Sequence, residues 1–226
     1  MKILNIKGDI IGNDIKWAYD WMGYDSTCPN DVQGVIDLLE DGEDFVININ
    51  SGGGEVFAGQ EIYSKIKKCR NTIVNVESIA ASAAGVIAMA GETVRMSPVA
   101  MIMIHNVSMR GGASGDYHEY QKAADALKEM NAALASAYCE KSGMPLKDVL
   151  KLMDKETWIT ANQAKEFGFC DEIISENSPS GIMTNHFNGL RMTPEMIEKC
   201  REEKAKAEKR EEDKKKLLND LYKYGI

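Results

Sequence analysis

The chain has 226 residues, with 35 acidic against 27 basic side chains and a formal charge of −8, and its isoelectric point is near 5.1. That balance excludes a nucleic-acid surface, which needs Lys and Arg clustered in excess, and no apolar run approaches the roughly 18 residues that span a bilayer. Cys28, Cys69, Cys139, Cys170 and Cys200 are scattered in no metal-ligand spacing, which argues against a disulfide framework or zinc site and for a reducing cytoplasm. The opening MKILNIKGDIIG lacks a charged region followed by a long apolar one, so the chain is expected to be soluble and unexported.

Residues 2–6 alternate as a strand, and turns are expected at Gly8 and at Gly12-Asn13. Trp17, Tyr19, Trp21 and Tyr24 form an aromatic cluster whose conformation the pattern leaves open. Residues 27–39 predict a helix capped by Asn30 or Asp31, with Val32, Ile36 and Leu39 on one face. Residues 45–49 predict a short strand, and Asn50-Ser51-Gly52-Gly53-Gly54 a turn. Residues 55–68 then predict a helix bearing Val56, Ile62 and Ile66. Strand, glycine turn, helix is the βα unit of a parallel sheet. The glycine run matches neither GxxxxGK[ST] nor GxGxxG, so it offers no nucleotide fingerprint. It is either a plain connection or a backbone amide presented to an oxyanion, since without Cβ atoms the chain can turn sharply and approach a ligand closely.

Residues 76–91, VESIAASAAGVIAMAG, set one serine, Ser82, among residues too small and apolar to need it. Residues 72–76 lead in as a strand, and an apolar helical run follows to Ala90. Small neighbours let a substrate backbone reach a nucleophile, and a helix starting at the serine aims free N–H groups at the reacting centre. A buried serine in an Ala-rich core helix is the alternative.

Residues 93–96 and 98–104 predict two further strands, the second ending at His105, which is either a structural side chain or a catalyst. His118 and His186 have polar surroundings and read as surface residues. Residues 111–115 form a flexible glycine-rich passage. Asp116 then caps a long helix with the stripe Tyr120, Ala123, Leu127, Met130, Leu134, Ala137, ended by Gly143 and Pro145. Residues 146–153 predict a short helix. Thr160 and Gln163 form the capping box of another, closed by Gly168. Asp154 and Glu156, just before Trp158, are candidates to orient a histidine or are solvated acids serving the helix dipole.

The order N50-S51-G52-G53-G54, S78-I79-A80-A81-S82-A83, M103-I104-H105, E156-T157-W158-I159-T160-A161 and A164-K165-E166-F167-G168-F169-C170-D171 resembles the ClpP-type serine peptidases, the proteolytic subunits of the Clp protease (peptidase family S14). The resemblance runs over residues 2–174 and is strongest toward shorter members encoded among phage head-assembly genes. It implies an α/β, ClpP/crotonase-like fold of repeated ββα units with a C-terminal charged helical tail. The implied division is a peptidase domain over residues 1–175, a linker over 176–192 and the tail over 193–226.

The resemblance further implies a serine endopeptidase in which Ser82 is the nucleophile, His105 the general base and Glu156 the third acid, with Asp154 second in line. The backbone N–H groups of Gly54 and Ala83 would form the oxyanion hole. It implies no cofactor, no metal and no membrane. Expected partners are an unfolded-protein or peptide substrate, other copies in a ring or stacked rings, with residues 116–141 between rings, and a separate ATP-dependent unfoldase or phage capsid or scaffold protein.

Three departures stand out. Gly52 replaces the proline of the family's SPGG turn and is expected to loosen it, Glu156 stands where aspartate is usual, and Ala83 and Ala84 follow the serine where a larger residue is common. Two other classes fit parts of the pattern: a crotonase-like acyl-CoA enzyme, and a catalytically silent assembly protein on the same fold. A Ser–Lys dyad is disfavoured by the well-placed histidine. Residues 177–189 read as a linker. Thr193-Pro194 opens a charged helix supported by pairs such as Glu195–Lys199, Glu202–Lys206, Glu211–Lys215 and Glu212–Lys216, with its apolar residues gathered at 217–222. A docking or self-processing role is the functional reading of this tail.

Overall fold

A computed structural model describes residues 1–109, 115–174 and 193–224. The expected linker, most of the glycine-rich passage, His186 and the side chains of residues 217–222 lie outside the described residues.

In chain order the elements are β1 (Lys2–Ile10), a 3-10 turn (Asn13–Ile15), α1 (Lys16–Met22), β2 (Ser26–Thr27), α2 (Pro29–Ile36), β3 (Phe45–Gly54) and α3 (Val56–Ile66). There follow β4 (Thr72–Ala81), α4 (Ala83–Ala88), β5 (Thr93–Met96), β6 (Met101–Ile104), α5 (Tyr117–Ser142), α6 (Leu146–Asp154), β7 (Thr157–Thr160), α7 (Ala161–Phe167), β8 (Glu172–Ile173) and α8 (Pro194–Tyr224). The main sheet runs β2-β1-β3-β4-β5-β8, each pair parallel. This is the α/β, ClpP-like architecture the sequence predicts.

One strand forks. The first half of β4 pairs with β5 through Ile73↔Thr93 to Val76↔Met96, and its second half pairs with β6 through Ile79↔Met101 to Ala81↔Met103. The fork leaves Ser82, at the end of β4, beside the end of β6 where His105 begins the next segment. Antiparallel β7 completes this smaller wing.

Alternation explains the layers. In β3, Phe45, Ile47 and Ile49 are buried, while Val46 and Asn48 on the opposite face are half-exposed. The buried rows of β1, β3 and β4 meet Ile62 and Ile66 of α3 and the wholly buried α4 in one core. On the other face Asn5, Asn48 and Asn75 sit in register and hydrogen-bond in a row, amide to amide, at 3.1 and 3.0 Å.

Several local expectations are corrected. Gly8 is no turn but a bulge inside β1: it has φ +64°, and the β1/β3 register shifts between Lys7 and Asp9. The glycine run does not end a strand, because β3 continues through Gly54. Trp17, Tyr19 and Trp21 of the aromatic cluster lie in α1, and Tyr24 follows its Gly23 cap. Asp31 serves α2 from its third position, accepting a hydrogen bond from the Cys28 N–H at 2.9 Å, while Cys28 is the capping residue. Residues 157–160 form a strand that the sequence signals did not indicate.

The charged tail is helical, capped by Thr193 Oγ1, which accepts from the Met196 N–H at 3.2 Å. Of the expected i,i+4 pairs, Glu212 and Lys216 meet at 3.2 Å, while elsewhere the helix uses i,i+3 pairs such as Glu198–Arg201 and Glu203–Lys206. The first turns of α8 are not solvated all round. Ile197 and buried Cys200 join Ile11, Ala18, Tyr19 and Cys28 in a satellite cluster, and Lys204 Nζ lies 4.6 Å from the Trp17 ring centroid. Ile197 and Cys200, about one helical turn apart, put this apolar contact on one face of an otherwise charged helix.

Candidate active site

Ser82 links β4 to α4 with φ 54° and ψ −124°, a conformation that costs a residue with a Cβ roughly 1–3 kcal/mol. The surroundings hold it there. Its N–H donates to the Met103 carbonyl at 2.8 Å, and its own carbonyl accepts from the N–H groups of Gly85 and Val86 at 3.0 and 3.2 Å. A sharp, strained turn from strand to helix exposes the serine hydroxyl and leaves the next N–H, that of Ala83, in the first turn of a helix, where no intrahelical acceptor exists.

The small residues around Ser82 also let neighbouring elements pack closely. A Cβ on Gly59 of α3 would lie 2.8 Å from the Ala83 Cβ, so α3 and α4 touch with almost no side chain between them. On the other side a Cβ on Gly53, which has φ +88°, would lie 2.5 Å from the Ala81 carbonyl oxygen, 2.7 Å from the Ser82 Cβ and 2.9 Å from the Ala83 nitrogen. The glycine strand therefore lies directly against the serine turn.

His105 follows β6 and its Nε2 is 2.8 Å from Ser82 Oγ. Two side chains fasten the segment after it. Asn131 of α5 accepts from the Val107 N–H at 2.7 Å, and Asn106 donates its amide to Asp154 Oδ1 at 2.8 Å. The Asn106 Oδ1 is buried and has no hydrogen-bond partner. Neither Asn106 nor Asn131 carries a sequence signal, because each acts through an amide contact between elements far apart in the chain.

The register of β6 with β7 runs Met101↔Thr160 to Ile104↔Thr157, so continuing it outward by one residue sets Glu156 opposite His105. Glu156 is exposed, has φ 48°, and its N–H donates to the Met153 carbonyl at 3.1 Å. Asp154 is also exposed and is engaged by Asn106, the neighbour of the histidine. Of the other histidines, His118 lies exposed in the first turn of α5, away from Ser82 in the chain and outside the cavity lining.

Ser82, Ala83, Gly54 and His105 all line one cavity of about 730 Å³. The residues that α4 and α5 contribute to it include Val86, Leu127, Met130, Leu134 and Tyr138, a largely apolar wall. The lining from β1 and the start of α3 mixes Ile11, Val56 and exposed Phe57 with Asp9 and Glu55. Both carboxylates have local duties: Asp9 accepts from the Tyr19 hydroxyl at 3.1 Å, and Glu55 accepts from the Ala58 N–H at 3.0 Å as the cap of α3. Of the predicted α5 stripe, Leu127, Met130 and Leu134 line this cavity, while Leu134 and Ala137 are also buried in the core.

A parallel sheet that delivers a strained serine to a histidine over a peptide-sized cavity is the frame of a hydrolase. The Clp protease family model matches residues 26–177, and the chain belongs to that family as a ClpP-like serine endopeptidase. It is 32% identical over 142 residues to the ATP-dependent Clp protease proteolytic subunit of Bacteroides fragilis, an alignment covering 62% of this chain and 68% of that protein. It is 31% identical over 142 residues to proteolytic subunit 1 of Chlamydia pneumoniae, covering 62% of this chain and 74% of that one, with the same figures for Chlamydia trachomatis serovar D. Among the described residues no helix is long and apolar enough to cross a membrane.

Proposed function

We propose that this endopeptidase cuts peptide bonds with Ser82 as nucleophile, His105 as general base and Glu156 as the acid that orients the imidazole, with the N–H groups of Gly54 and Ala83 receiving the oxyanion. The observation that carries this reading is the 2.8 Å contact between Ser82 Oγ and His105 Nε2 at the cavity wall. Ser82 Oγ attacks the scissile carbonyl as its proton passes to His105 Nε2, and negative charge gathers on the carbonyl oxygen. When the tetrahedral species collapses, His105 returns the proton to the departing amine. Water then repeats the sequence on the acyl-enzyme. The apolar wall that α5 gives the cavity suits a large apolar side chain next to the scissile bond.

The strand register supports Glu156 over Asp154, whose carboxylate is occupied by Asn106. The reading extends to the setting of the enzyme. The chain assembles in the cytoplasm as a homo-oligomeric ring or as stacked rings, with contacts that include the outer half of α5, where Tyr117 and Tyr120 are 74% and 55% exposed. Its substrates are unfolded proteins or peptides, delivered by a separate ATP-dependent unfoldase or drawn from phage capsid and scaffold proteins. Residues 1–175 form the peptidase unit, and α8 is an accessory docked on α1 by Ile197 and Cys200.

Turnover of a fluorogenic peptide by the wild type, Ser82→Ala, Glu156→Gln and Asp154→Asn tests the assignment. Ser82→Ala is expected to abolish turnover, Glu156→Gln to lower kcat by about 10³–10⁴, and Asp154→Asn to have a smaller effect. Retained turnover in Ser82→Ala, or a larger loss at Asp154 than at Glu156, overturns it. Sedimentation that gives an active monomer at micromolar concentration overturns the ring.

A further inference from the structure

Three consecutive glycines are the worst material from which to build a fixed oxyanion donor, because each has the widest backbone freedom of any residue. Gly52 gets no steric help, since a Cβ there would meet nothing within 4 Å. Yet the strand passes Ser82 closely enough that Gly53 lies against the Ala81–Ala83 turn.

We infer that Ser51 is the positioning residue of the oxyanion hole, holding the Gly53-Gly54 peptide in place through its side-chain hydroxyl; this rests on the serine peptidase reading above. Ser51 is only 2% exposed, and its hydroxyl is used twice. It donates to the Gly8 carbonyl at 2.6 Å and accepts from the Gly53 N–H at 3.1 Å. The first contact explains the bulge in β1. Gly8, with φ +64°, sits where the β1/β3 register shifts, and a Cβ there would fall 1.8 Å from the Asp25 carbonyl oxygen.

The bulge is itself braced. Thr27 Oγ1 accepts from the Lys7 N–H and donates to the Lys7 carbonyl, both at 3.1 Å. A rigid sheet edge therefore fixes Gly8, Gly8 fixes the Ser51 hydroxyl, and that hydroxyl fixes the Gly53 N–H. With one end of Gly53 anchored and its α-carbon against Ser82, the peptide that carries the Gly54 N–H has little freedom left. The expectation that Gly52 leaves this loop loose is thus corrected: hydrogen bonds replace the ring of a proline.

An oxyanion donor acts on the transition state and not on the ground state. Full-length Ser51→Ala is therefore expected to lose at least tenfold in kcat on a fluorogenic peptide with KM changed less than about twofold. A peptide boronate, whose tetrahedral adduct fills the oxyanion hole, should weaken in proportion to kcat. Because Ser51 is buried, a second variant guards against simple unfolding: Ser51→Ala/Gly52→Pro stiffens the same loop covalently and should recover part of kcat. Unchanged kcat in Ser51→Ala, a rise confined to KM, or no recovery in a double variant that melts like the wild type overturns the positioning role. A wild type that neither turns over peptide nor binds the boronate overturns the peptidase reading itself.

Discussion

Replacing Gly53 by alanine tests how tightly the glycine strand and the nucleophile turn are fitted. The new Cβ would stand at 2.5, 2.7 and 2.9 Å from Ala81 O, Ser82 Cβ and Ala83 N, where ordinary contact begins at 3.4 Å. Two of these three atoms are backbone, so no side chain can swing aside, and the segments must part by about 0.5–0.9 Å. The φ of +88° adds about 1–2 kcal/mol for a residue with a Cβ, and overpacking adds about 1–3 kcal/mol.

The catalytic cost follows from the same displacement. Moving one oxyanion donor out of place removes about 10²–10³ in kcat, and a 1 Å misplacement of reacting groups costs a similar factor. Gly53→Ala is therefore expected to fold with a lowered melting temperature and to lose at least a hundredfold in kcat on a fluorogenic peptide. Gly52→Ala, one residue away in open space, is expected to keep wild-type kcat and to gain up to about 1 kcal/mol by restricting the unfolded chain. A Gly53→Ala protein with kcat within threefold of wild type and an unchanged melt would refute the reasoning.

Glu156→Gly relieves a left-handed backbone at a cost in chain entropy, so the melt should hold or rise by up to about 1 kcal/mol while kcat collapses as in Glu156→Gln; kcat that survives both changes removes Glu156 from the triad. Tyr63 donates to Glu140 Oε2 at 3.1 Å, and burial and then that carboxylate push its phenol from 10.0 up to about 12. The raised folded-state value means its contribution is complete below pH 10 and is lost as pH rises through about 12. Two units amount to about 2.7 kcal/mol for a fully buried group, and solvent screening at this half-exposed pair reduces that to about 1 kcal/mol or less. Urea melts between pH 9 and 12 should fall less steeply for Tyr63→Phe than for the wild type, and parallel curves would contradict the coupling. Cys200→Asp buries a charge against Ile11 and Tyr19, so trypsin should cut within α8 about tenfold faster while the main melting transition stays put; unaltered cleavage would mean the helix is not held there.

The long apolar alternations were the most legible part of the chain. Residues 45–49 and 72–76 are strands because their periodicity of two survives on the buried face, and Asp116 and Gly143 mark the ends of α5 through cap chemistry that acts within a few residues. Ser82 and His105 were legible because each stands out against an apolar run. The β4 fork that brings them together was not, since it arises from pairing with two different partners. Gly8 signals a turn locally but marks a close approach to Asp25, and the glycine run, a turn or an oxyanion-facing amide by its sequence, continues β3 and lies against Ser82 at Gly53. Asn106 and Asn131 carry no signal and Ser51 stands in the glycine motif with no role of its own, for their roles exist only as contacts with Asp154, Val107 and Gly8.

The most direct test of the Ser82–His105 pair is covalent labelling of the full-length protein with a fluorophosphonate, followed by peptide mapping of the adduct. A single adduct on Ser82 is expected, absent in Ser82→Ala and slowed in His105→Asn. An adduct on another residue, or equal labelling of Ser82→Ala, would contradict the assignment of Ser82 as the nucleophile.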